Sequence, residues 1–205
     1  SLYTASLGTR ETLVTDAGQF SANSMSISDH GSFEHLIDGE THYNYNFHSI
    51  WNATAMQSAT ITADEWEQTL QGLDPTKFQY TGTGYHNLQV ALKAPVNKFW
   101  FEYIGRTGTT IVDNPTDIEV YATNSDELGA STDQAEIDQW TRITELNENM
   151  PDATPGAKYI SPVIDLGDSY KYIRFVIKNT AMAGNHTARV FNNPEITGIT
   201  LNVAE

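Results

Sequence analysis

The run Asn87-Leu88-Gln89-Val90-Ala91-Leu92, followed by Lys98-Phe99-Trp100-Phe101-Glu102-Tyr103-Ile104, decides the fold class of this chain. Leu88, Val90 and Leu92 fall on one side of an extended backbone and Gln89 on the other, the period of two that a half-buried strand requires. In the second run Phe99, Phe101 and Tyr103 share a side. Trp100 takes the opposite side, either under a loop or in an exposed patch. Similar runs recur at Asp117-Ile118-Glu119-Val120-Tyr121-Ala122, Trp140-Thr141-Arg142-Ile143, Val163-Ile164-Asp165-Leu166, Tyr172-Ile173-Arg174-Phe175-Val176-Ile177 and Ile199-Thr200-Leu201-Asn202-Val203. Gly, Pro, Asn and Asp separate them, as turns do. Many strands with little helix predict an all-β protein built as an antiparallel sandwich.

One segment breaks the pattern. Thr62-Ala63-Asp64-Glu65 is a capping box, in which each end satisfies the other's free backbone N–H. Residues 63–73 then run without Pro and carry acids in the first turn, which predicts a short helix. The helix rides on an excursion over residues 52–84, and Pro75 with the Gly82/Gly84 pair brings the chain back. Trp66 either extends a binding platform or anchors this helix, and a helix so short needs an anchor. Residues 125–138, rich in Gly, Asp and Gln, read as a long surface loop with helical content, because strand patterns resume at Trp140. No repeat and no linker divides the chain, so residues 1–205 read as a single domain with a helix-containing insertion at 52–84.

Composition narrows the function. The 205 residues hold 11 Lys and Arg against 26 Asp and Glu, a net charge of −15. Such a chain lacks the cations that displace counterions from nucleic acid or attract anionic lipid. With 8 Phe, 10 Tyr and 4 Trp there is ample material for a core. The absence of Cys excludes disulfides, zinc–thiolate sites, iron–sulfur clusters and a thiol nucleophile. No apolar run approaches the ~20 residues of a membrane span. The opening Ser1-Leu2-Tyr3-Thr4 reads as a mature or excised piece. The six His show no His-x-x-x-His spacing for zinc, and neither a Gly-x-Ser-x-Gly elbow nor a phosphate-cradling loop occurs. No carboxylate pair is singled out for glycoside hydrolysis, so the chain reads as a non-enzyme.

Several pieces then fall in a telling order: Leu36-Ile37-Asp38-Gly39-Glu40-Thr41, His48-Ser49-Ile50-Trp51, Phe101-Glu102-Tyr103-Ile104-Gly105-Arg106, Asn114-Pro115-Thr116-Asp117, Trp140-Thr141, and Lys171-Tyr172-Ile173-Arg174-Phe175. Together they resemble the coagulation factor V/VIII C-type domain, also called discoidin-like or galactose-binding-like, from about Gly18 to the C-terminus. The resemblance is closest to the bacterial members that serve as carbohydrate-binding modules. It implies a jelly-roll β-sandwich with a calcium ion and ligand-binding loops at one end. His48 and Trp51 match the family's sugar-binding His-x-x-Trp, where imidazole bonds a hydroxyl and indole stacks on the ring. Arg106 and Asn114 match its further polar contacts. Such groups suit a pyranose, whose C–H face packs on aromatic carbon while its hydroxyls take fixed donors and acceptors. Asp38, Glu40 and Thr41 match the calcium loop, with Glu40 in place of a more usual Asp. The resemblance therefore implies a non-catalytic module that binds a galactose-type or related glycan, outside the cytoplasm, beside a catalytic or surface domain. The alternative on the same fold is a protein- or matrix-adhesion module. Nearby, Tyr43, Tyr45 and Phe47 form an alternating aromatic row of the kind that stacks on sugar rings; the resemblance implies that Tyr45 or Phe47 belongs to the core instead.

Overall fold

A computed structural model describes residues 11–26, 30–41, 44–49, 55–57, 61–70, 80–83, 85–108, 114–129, 139–181, 189–191 and 202–203, with side chains described for all but 55–57, 68–70, 80–83, 189–191 and 202–203. In chain order the strands are β1 (Phe20–Ala22), β2 (Phe47–His48), β3 (Ala55–Gln57), β4 (Ile61–Thr62), β5 (Tyr80–Thr83), β6 (Asn87–Trp100), β7 (Glu102–Gly105), β8 (Pro115–Thr123), β9 (Thr141–Leu146), β10 (Lys158–Ile160), β11 (Ile164–Thr180), β12 (Arg189–Phe191) and β13 (Asn202–Val203). Two helices accompany them, α1 (Ala63–Leu70) and α2 (Asp126–Gly129).

One sheet has seven strands in the order β4-β1-β6-β11-β8-β9, with β13 also on β6; the other has four, β10-β7-β12-β2; β3 and β5 make a small ribbon. Every pairing in the two large sheets is antiparallel. The period-two runs set the register. Phe175 lies between Leu88 and Val120, and Ile173 between Val90 and Ala122, so whole rows of apolar side chains turn inward together. The four-stranded sheet answers with Phe101, Tyr103 and Tyr159. Phe101 meets Phe175 edge-on at 4.8 Å, and Tyr103 packs on Tyr159 at 5.4 Å. Each such pair adds about 0.5–1.5 kcal/mol beyond its buried area. Burial pushes the Tyr103 hydroxyl well above its ordinary range.

The runs at 163–166 and 172–177 join into the single long strand β11, with irregular register against β6 between Asp165 and Tyr172 and against β8 between Ile177 and Thr180. The capping box forms as the sequence predicts: Glu65 takes the Thr62 N–H at 3.0 Å, and Thr62 Oγ1 takes the Glu65 N–H at 3.3 Å. Trp66 is 1% exposed, so it anchors α1 in the core rather than forming a platform. Trp100 is buried against Val163 and leaves no exposed patch. Within the excursion, β4 joins β1, with Ile61 opposite Ala22. The expected helical content of 125–138 is α2; residues 130–138 lie outside the described residues. Beneath α2, the buried Arg174 donates through Nε and a terminal nitrogen to Gln89 Oε1 and stacks 4.1 Å from the Trp140 ring. Among the described residues, no helix is long and apolar enough to cross a membrane.

Candidate ligand-binding site

The described candidate residues His48, Arg106 and Asn114 lie at one end of the four-stranded sheet. In β2, His48 stands opposite Arg189 of β12, while Val190 pairs with Phe47 on one side and Gly105 of β7 on the other. One further step along β7 brings Arg106 level with Arg189. His48 and Arg106 therefore flank β12, two strand spacings or about 10 Å apart. Arg189 was not singled out in the sequence; only its register position marks it.

The elements below this end form a polar layer. His48 is 3% exposed, its Nδ1 within 2.6 Å of the Ser49 carbonyl, and its own carbonyl accepts the Ser26 N–H. Ser49 Oγ meets His86 Nδ1 at 2.7 Å, with both residues buried. The sequence reading gives the His48 ring a sugar hydroxyl; the structure seats that ring below the surface.

Asn114 also departs from the expected contact role. It is 0% exposed, and its two amide hydrogens go to the carbonyls of Asp152 (2.6 Å) and Thr154 (3.1 Å). Its Oδ1 lies so close to Gly105 that a Cβ there would come within 1.8 Å. An amide with both hydrogens committed to backbone has none left for a ligand. Asn114 is a brace that ties β7 to the 152–157 turn. The same turn holds the next residue, with the Gly105 N–H on the Ala157 carbonyl and the Gly156 N–H on the Arg106 carbonyl. The half-buried Arg106 is thus fixed through its backbone on both sides. Trp51 lies outside the described residues.

The Asp38–Thr41 loop touches this site, since Thr107 Oγ1 donates to the Thr41 carbonyl at 2.9 Å. Asp38 Oδ1 accepts the Glu40 N–H at 2.9 Å, and Oδ2 lies 2.7 Å from His35 Nδ1. Gly39, at φ 78°, permits the turn. A calcium ion takes six to eight oxygens. The Asp38 carboxylate keeps unused lone pairs and the turn presents carbonyls, so the loop fits an oxygen-ligated ion in kind. Among the described residues no cluster of three His, Asp or Glu side chains completes a cage. The aromatic row resolves as one core residue, Phe47, and one exposed residue, Tyr45, at 45% exposure. The Tyr45 ring lies 5.3 Å from that of His35, beside the Asp38 turn.

No protein-family model and no curated protein matches the chain. Solved structures do. A carbohydrate-binding module from Clostridium perfringens, solved in complex with GalNAc-β-1,3-galactose, matches at 14% identity and a TM-score of 0.51 over 93% of this chain and 99% of that one. The third family 32 module of a C. perfringens family 31 glycoside hydrolase matches at 13% and 0.51, over 94% and 96%. The family 32 module of C. perfringens NanJ, in complex with galactose, matches at 12% and 0.50, over 95% and 99%. The fold of this chain is accordingly that of the family 32 carbohydrate-binding modules, the discoidin-like, galactose-binding-like β-sandwich.

Proposed function

We propose that this chain is a non-catalytic carbohydrate-binding module that takes a galactose-type or related glycan on its loop end. The observation that carries the reading is Arg106, half-buried at the end of β7 with its carbonyl held by the Gly156 N–H, next to Thr107, which bonds the Asp38–Thr41 loop. Its guanidinium supplies planar donors for hydroxyls, and the exposed Tyr45 ring, beside the Asp38 turn, offers an aromatic surface to a sugar's C–H face. The matched modules solved with GalNAc-β-1,3-galactose and galactose support the sugar class. Trp51 adds a second stacking surface, and His48 and Asn114 shape the loops from below. A net charge of −15 favours a neutral glycan over a sialylated or sulfated one. In the parent protein the module stands outside the cytoplasm, beside a catalytic or surface domain.

A glycan array followed by calorimetry tests this. The chain binds a neutral sugar, and Arg106→Ala weakens that binding about tenfold with little change in melting temperature. Binding untouched by Arg106→Ala refutes the assigned site; no binding to any glycan favours the adhesion alternative. Calcium is the second part of the proposal, with Asp38 and the carbonyls of Glu40 and Thr41 as one wall of its site. Chelation by EDTA then lowers the melting temperature, since an ion bound only by the folded state stabilises it. An unchanged midpoint rejects the ion.

A further inference from the structure

Strands β9 and β10 are the outer strands of the two large sheets; among the described residues, β9 pairs only with β8 and β10 only with β7. Between them runs a groove of about 720 Å³, lined by residues 144–149 on one wall and 159–162 on the other. The strand residues in the lining are consecutive, 144–146 of β9 and 159–160 of β10, and 147–149 and 161–162 continue past the strand ends. A groove across a sheet face is lined by every second residue, because side chains alternate. One lined by consecutive residues runs along a strand edge, where backbone N–H and C=O groups face outward.

The register of β10 shows which groups these are. The Gly105 N–H donates to the Ala157 carbonyl and the Ser161 N–H to the Phe101 carbonyl. Between them Lys158 stands opposite Ile104 and Ile160 opposite Glu102. Hydrogen-bonded positions alternate in an antiparallel pair, so Lys158 and Ile160 turn their backbone groups away from β7. The Ile160 side chain is 48% exposed, one of two exposed large hydrophobics among the described residues. Among the described residues that line it the acids are Glu145 and Glu148, and none is Lys, Arg or His. Glu145 pairs with Arg142 at 3.1 Å and shares a hydrogen bond with Asp117.

We propose that this groove docks an extended basic segment of a partner polypeptide. The segment runs beside Ile160, takes its outward backbone groups, and sets Lys or Arg side chains on Glu145 and Glu148. A peptide of this shape satisfies an open edge with its own main chain, and alternate side chains supply specificity. A second copy of this chain is a poor occupant, because it brings −15 against −15. The inference does not rest on the sugar reading, and none of His48, Arg106 and Asn114 lines the groove.

The test is calorimetry of the whole chain with four probes: the peptide Lys-Val-Lys-Val-Lys-Val, its Glu-Val counterpart, the basic peptide with alternate amides N-methylated, and cellotetraose. The basic peptide binds and slows hydrogen exchange at the Ile160 amide. The acidic peptide gives no heat. N-methylation costs about tenfold or more, as the loss of two or more main-chain hydrogen bonds should. Glu145→Gln and Glu148→Gln each weaken binding about twofold to fivefold, the worth of an exposed ion pair. Arg106→Ala leaves it unchanged. Equal binding of the acidic or N-methylated peptide, no effect of either Gln variant, or protection of Ile160 by cellotetraose instead would each overturn the proposal.

Discussion

The loop end and the outer face of β8, β9 and β11 both concentrate polar side chains, and they use them in opposite ways. At the loop end the polar groups point inward. Asn23, Asn46, Ser49, His86 and Asn114 are each 1% exposed or less; Asn23 and Asn114 donate to backbone carbonyls, and Ser49 and His86 bond each other. On the outer sheet face the polar groups pair across the surface. Glu119 accepts from Tyr121 at 2.6 Å, from Arg142 at 3.1 Å and from Lys178 at 3.0 Å. The first arrangement moulds backbone, and the second neutralises charge. Asn114 has the right chemistry for a sugar, but its buried bonds make it part of the mould. Arg106, half-buried and held by the same turn, is the residue on which the proposed sugar contact rests.

The sharpest way to break the mould is Gly105→Ala. The new Cβ would lie 1.8 Å from Asn114 Oδ1, and Asn114 cannot retreat without releasing the carbonyls of Asp152 and Thr154. Overpacking of this kind costs about 1–3 kcal/mol and unsatisfied buried groups about as much again. Urea unfolding should therefore show a loss of about 3 kcal/mol. The same substitution in an Asn114→Ala background should cost much less, because the clashing atom is gone. Equal costs in both backgrounds would dissolve the brace.

The second region predicts a smaller loss. Burial pushes the Glu119 carboxyl up, but the hydrogen bonds from Tyr121, Lys178 and Arg142 outweigh it and hold the group below its usual range. Glu119→Gln removes the charge those cations face and should cost about 1–2 kcal/mol at neutral pH. The loss should fade as acid protonates Glu119 in the parent protein. A loss that persists unchanged at low pH would mean packing, not charge, holds this face together.

How much of this was legible depended on how local its cause is. The strands around Leu88, Ile118 and Ile173 were readable because period-two alternation is written in adjacent residues. The capping box of α1 was readable for the same reason. The loop end was only half readable. Its residues could be named from a resemblance, but whether His48 or Asn114 faces solvent depends on carbonyls of Ser49, Asp152 and Thr154 set by the fold. Asn114 and its acceptors lie 38 and 40 residues apart, beyond any local pattern. Arg189 enters the site through strand pairing alone, and the groove at Ile160 appears only once β9 and β10 are known to be edges.

The smallest effect has the opposite sign and sharpens the contrast within one face. Asp117 lies two residues from Glu119 on β8, yet its carboxyl is pushed up to about 6, first by burial, then by a hydrogen bond with Glu145 and repulsion from Glu145 and Glu119, against the pull of Lys178. A carboxyl raised above its unfolded value of 3.8 binds its proton more tightly when folded. Its contribution to stability is therefore complete below about pH 4 and is lost as the pH rises through about 6. Asp117→Asn keeps a hydrogen-bonding partner for Glu145 and removes the second charge. The variant should match the parent protein near pH 4 and melt above it at pH 7. Glu119→Gln should do the reverse, falling behind only as the pH rises. Both substitutions remove one negative charge from the same strand, so a general relief of the net −15 would move them alike. Opposite displacements would show that each carboxylate answers to its own neighbours.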